Sequence, residues 1–122
     1  MLEILASSLL FIFLDSIYLN LMKGYFQNQI KSVQGSPIQL NLPAAFACYV
    51  FLIFGLNYFI IQKRKSVKDA FLLGVVIYAV YELTTLSLLK DWSILTVFMD
   101  TVWGGILFAM TTYLVYKLKK WL

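Results

Sequence analysis

Four apolar stretches divide the chain, each close to the ~20 residues that carry a helix across a bilayer. They run over about 2–22, 42–61, 70–89 and 93–116. The breaks between them are polar. A long connection covers 23–41 and contains Gly35 and Pro37, a basic one covers 62–69, and Lys90-Asp91 forms a tight turn. Tyr25, Phe26 and Ile30 would let part of the long connection lie on the membrane surface. Asn41 and Pro43 suit the start of the second helix as N-cap and first-turn residues. The pattern predicts an all-α fold in which residues 1–122 make a single transmembrane domain, an integral membrane four-helix bundle.

Composition strengthens this reading. Of 122 residues, 61% are hydrophobic and only 13% are charged, too little charge to cover a soluble domain of this size. The lone Cys48 precludes an internal disulfide, and the absence of His removes His-based metal sites and general bases. No cofactor is implied. The net charge of +4 does not point to nucleic acid, because the bases gather at segment ends, where they meet lipid headgroups.

Charge also orients the chain. In a four-span arrangement Lys63, Arg64, Lys65, Lys68, Lys117, Lys119 and Lys120 fall on one side, and Lys23, Lys31 and Lys90 on the other. The positive-inside rule then predicts N and C termini in the cytoplasm, with 62–69 as an inner loop and 23–41 as an outer loop. Trp92, Trp121, Tyr25 and Tyr116 sit near segment ends, as interfacial aromatics do. The first stretch is expected to remain as a membrane span rather than a cleaved signal. It carries Glu3 in place of a basic start, Asp15 in its apolar run, and no small-residue cleavage site.

Three acids inside the spans carry the candidate chemistry: Asp15, Glu82 and Asp100. Each lies about seven residues, or ~10 Å, from the outer end of its helix. Antiparallel helices therefore bring them to one level. Ionised groups at that depth are expensive and belong in the bundle interior or a wet cavity. Helical spacing groups Ser8, Phe11, Asp15 and Tyr18 on the first helix, and Gly74, Tyr78, Tyr81, Glu82 and Thr85 on the third. On the fourth it groups Thr96, Asp100, Trp103, Gly104 and Thr111. Cys48 and Tyr49 reach a similar depth on the second. The candidate binding or relay site is Asp15, Glu82 and Asp100 with Tyr18, Tyr49, Tyr78, Tyr81, Thr85 and Trp103. Three neighbouring carboxylates without a base cannot all stay ionised, so they are expected to share protons or bind a cation. The bland alternative is that each acid only ties helices together.

These residues also carry a family resemblance over nearly the whole chain. Phe13-Leu14-Asp15-Ser16-Ile17-Tyr18-Leu19 is similar to the motif F-L-D-x-x-W-L of small predicted membrane proteins, the domain-of-unknown-function 2177 family. Tyr25-Phe26, the set Ala44, Ala45 and Tyr49, and then Gly55-Leu56 and Tyr58-Phe59 resemble its next features. Tyr78, Tyr81, Glu82, Leu83, Thr84 and Thr85, followed by Trp92, match Y-x-x-Y-D-L-T-N and a Trp, while Asp100, Trp103 and Gly104 match D-x-x-W-G. Glu82, Thr85 and Tyr18 depart from the family's Asp, Asn and Trp. Glu keeps the charge with longer reach, whereas Thr85 loses an amide that both donates and accepts. The resemblance implies a four-helix membrane fold.

Three functions remain open on the residues. One is a small transporter or channel subunit moving protons or a small cation, in which the shortage of space for a pore favours a homo-oligomer. Another is a membrane-embedded enzyme acting on a lipid or isoprenoid, its carboxylates holding Mg²⁺ or serving as acid and base. The last is a non-catalytic helper subunit of a membrane complex.

Overall fold

Each apolar stretch contains one helix, and the side chains at the breaks explain where the helices start and stop. The computed structural model describes residues 2–25, 28, 42–88 and 92–119. Helix α1 spans Leu2–Leu21 and α2 spans Leu42–Leu56, continued without a break by a π-helical segment, Asn57–Ile61. Helix α3 spans Val67–Leu88 and α4 spans Ile94–Lys119. Among the described residues four helices (20, 19, 22 and 26 residues) are long and apolar enough to cross a membrane. The expected Lys90-Asp91 turn, the Asn41 cap, the surface role of Phe26 and Ile30, and Trp121 lie outside the described residues.

Two helix starts are set by serine caps. Ser66 Oγ accepts the backbone N–H of Asp69 (3.0 Å), so α3 opens three residues earlier than the apolar run. Ser93 Oγ accepts from Leu95 N–H (3.0 Å) and opens α4. A hydroxyl there satisfies N–H groups that have no partner inside the helix. At its other end α4 runs past the apolar stretch to Lys119.

The outward faces are apolar, with Phe46 73%, Phe51 74% and Phe98 70% exposed. That surface suits lipid and not water. Inside, Phe11 packs edge-to-face on Phe108 with centroids 5.6 Å apart, and Leu56, Ile60, Ile61, Ala70, Leu107 and Val115 complete the core.

Helices α3 and α4 form the tightest pair, through glycine. A Cβ on Gly74 would collide with the Gly104 carbonyl, one on Gly104 with the Tyr78 ring, and one on Gly105 with Phe71 and Val75. Helix α2 packs mainly along α1. There Asn57 is buried and its Nδ2 donates to Ser7 Oγ (2.9 Å) and to the Ile53 carbonyl (2.9 Å). The wider π turn follows, with Gln62 N–H reaching back to Asn57 O (2.8 Å).

One end of the bundle collects charge. Glu3 at the start of α1 pairs with Arg64 (3.1 Å) and Lys119 (3.3 Å). Tyr116 of α4 reaches the carbonyl of Lys65 (2.7 Å). The beginning of α1, the α2–α3 connection and the end of α4 therefore share that end.

Candidate functional site

A carboxyl in the interior of a membrane bundle needs donors from neighbouring elements, and each of the three has one. Asp15, 8% exposed, projects from α1 between α2 and α4. It accepts the Tyr49 hydroxyl on one oxygen and Trp103 Nε1 on the other (3.0 Å). Asp100 on α4 accepts the Tyr18 hydroxyl of α1 (2.8 Å). Glu82 on α3 is 1% exposed and accepts Trp92 Nε1 (2.8 Å), and Asp100 is its acidic neighbour.

Between the acids lies an aromatic partition. Tyr18 and Trp103 stack face to face, with centroids 4.5 Å apart and planes 5° from parallel. One ring of the stack donates to Asp100 and the other to Asp15. The acids thus form a pair, Glu82 with Asp100, and a separate member, Asp15. Among the described residues no group of three or more His, Cys, Asp or Glu side chains is placed to hold a metal ion.

The remaining residues divide by helical phase. Tyr49 packs edge-to-face on Phe11 (6.1 Å) as well as capping Asp15. Tyr78 lies over Gly104 and meets Phe108 edge-on (6.4 Å). Tyr81 does not join them: it is 66% exposed on the outer face. Consecutive helical residues point about 100° apart at 3.6 residues per turn, so Tyr81 cannot share the inward direction of Glu82. Thr85 turns its hydroxyl to the Tyr81 carbonyl (3.0 Å), within its own helix. On α1 the same phase buries Ser7 and leaves Ser8 half-exposed, donating to the Ile4 carbonyl (2.7 Å).

Trp92 is the site residue that sequence reasoning assigned to another role. Its place just before α4 marks an interfacial aromatic, yet its indole N–H also meets Glu82, ten residues earlier. A Trp beside a helix break following a buried acid was the available signal. Nearby, the hydroxyls of Tyr25 and Thr96 hydrogen-bond at 2.8 Å and join the segment that follows α1 to the start of α4.

The family model described as "Predicted membrane protein (DUF2177)" matches residues 1–117. No curated protein and no solved structure matches the chain.

Proposed function

The chain belongs to the DUF2177 family of predicted membrane proteins, and from that premise we propose a small transporter or channel subunit that moves protons or a small cation through its intramembrane carboxyls. The protein is a multi-pass helical membrane protein. The observation that carries the finer reading is the company its buried acids keep. Asp15, Glu82 and Asp100 meet O–H and N–H donors. The ion pairs among the described residues involve Glu3 instead. A carboxyl not locked to a base can take up and release a proton or receive a cation, and acids within membrane spans mark such pathways.

In this reading Glu82 and Asp100 form one station and Asp15 the next, with Tyr18 and Trp103 between them. The single four-span unit has both termini and residues 62–69 in the cytoplasm, because seven of the ten basic side chains fall on that side. Four helices leave little internal space, so self-association supplies any wider passage.

Proton and cation flux into liposomes holding the purified protein tests the proposal. Flux with wild type and a loss of about tenfold or more in Asp100→Asn is expected. Absence of flux in both proteins sinks it.

One observation favours a second reading, the non-catalytic helper. Asp15 joins three helices by accepting from Tyr49 on α2 and Trp103 on α4, which is also what a structural tie does. Amide replacement of all three acids would then leave a detergent-stable partner complex intact. The lipid- or isoprenoid-modifying enzyme gains nothing comparable, since no metal-holding group occurs among the described residues and the chain has no His.

A further inference from the structure

The α1 helix meets α2 where Tyr49 caps Asp15 and packs on Phe11, and meets the π segment where Asn57 bonds Ser7, but on the lipid-facing side a gap remains between them. The gap is a cleft of about 540 Å³ walled by Ile4 and Ile12 of α1 and by Val50, Ile53 and Phe54 of α2. Its outer rim is exposed: Ile4 44%, Val50 47% and Phe54 61%, so it opens sideways to the surrounding lipid. From Phe46 to Gln62 the lining follows α2 for ~24 Å at 1.5 Å per residue, most of a ~30 Å hydrocarbon layer. That shape suits an extended tail better than a compact polar solute.

The two ends differ. At one end Tyr49, whose hydroxyl caps Asp15, forms part of the wall. At the other the lining ends in Tyr58 and Gln62, and the Lys63 ammonium sits over the Tyr58 ring at 4.6 Å from its centroid. Arg64 beside it is engaged by Glu3, while Lys63 is exposed at the cleft mouth. A cation at the mouth of an apolar groove complements an amphiphile with an anionic head.

We infer that the α1–α2 cleft is a binding site for one anionic phospholipid, its acyl chain between the helices and its phosphate on Lys63. Lipid held in this cleft is detectable whether or not the protein conducts ions. Helix α2 would then be held against the bundle partly by the lipid, and an occupant would border the hydroxyl that caps Asp15.

Purified full-length protein in a delipidating detergent, given equal dioleoyl phosphatidylglycerol and dioleoyl phosphatidylcholine, can be read by native mass spectrometry. One phosphatidylglycerol per chain is expected, retained about fivefold over phosphatidylcholine, the preference that one nearby basic side chain supplies. Lys63→Gln, on an exposed side chain, should erase the preference and keep tail binding. Val50→Trp, which fills the cleft, should lower retention of both lipids. Equal retention of the two lipids by wild type overturns the inference, as does an undiminished preference in Lys63→Gln. A dimer that excludes lipid and that Val50→Trp dissociates also overturns it, by assigning the cleft to a second copy.

Discussion

At the scale of single residues, the interior carboxyls are organised by donors from Tyr and Trp rather than by charge pairs. Each indole or phenol has an apolar body that packs in the bundle and one polar atom that reaches a carboxyl. Trp92 shows how much one such atom carries. Glu82 is 1% exposed and takes its 2.8 Å hydrogen bond from Trp92 Nε1. Trp92→Phe keeps most of the ring and removes the donor, leaving a buried acceptor short of a partner. We expect it to lower stability by about 1–3 kcal/mol, seen as earlier thermal unfolding in detergent. Glu82→Gln paired with Trp92→Phe should cost less than the sum of the two, because the bond is already altered once. The inward phase of Glu82 was legible from its charge. The outward phase of Tyr81 follows from it, because adjacent helical residues point about 100° apart.

Between elements, glycine decides which helices meet. Gly74, Gly104 and Gly105 let α3 and α4 approach until backbone and aromatic rings touch. Gly74→Ala places a methyl group against the Gly104 carbonyl, which is backbone and cannot swing aside. The expected cost is about 1–3 kcal/mol, measured as loss of unfolding resistance in detergent. Gly55, which has open space around its α carbon, should accept Ala with little change. The sequence displays these glycines without a Gly-x-x-x-Gly spacing, so their partner helix was unreadable from spacing alone. The π-helical segment Asn57–Ile61 was equally hidden. It begins at Asn57, whose side chain bonds Ser7, fifty residues away, and the Ile53 carbonyl, and no local propensity announces a partner so remote.

Across the whole molecule, Glu3, Arg64 and Lys119 gather the start of α1, the α2–α3 connection and the end of α4 at one end. Reporter tags placed before Leu2, between Lys65 and Val67, and after Leu122 should therefore give the same sidedness in an accessibility assay. On the proposed orientation that side is the cytoplasm. A tag between Val33 and Gly35 should report the opposite side. Agreement of all four tags on one side would contradict a four-span chain. The glutamate–arginine pair is only half-buried, with side chains 30% and 46% exposed, and contributes little to stability, so Glu3→Gln should leave both topology and melting nearly unchanged.

What the sequence determined by itself was the solvent and the count of spans. Continuous apolar stretches of membrane length have only one low-energy state in lipid, a helix with its backbone bonds satisfied internally. It also put Asp15, Glu82 and Asp100 at similar distances from the ends of their helices, since that distance follows from counting along a helix of constant rise. Tertiary structure alone decided how those acids are joined. Depth is a coordinate along one helix, whereas grouping depends on the rotation of each helix about its axis and on which neighbour it faces. That rotation set Glu82 beside Asp100, put the Tyr18–Trp103 stack between them and Asp15, and turned Tyr81 outward. It also left α1 and α2 parted along the cleft that Lys63 overlooks.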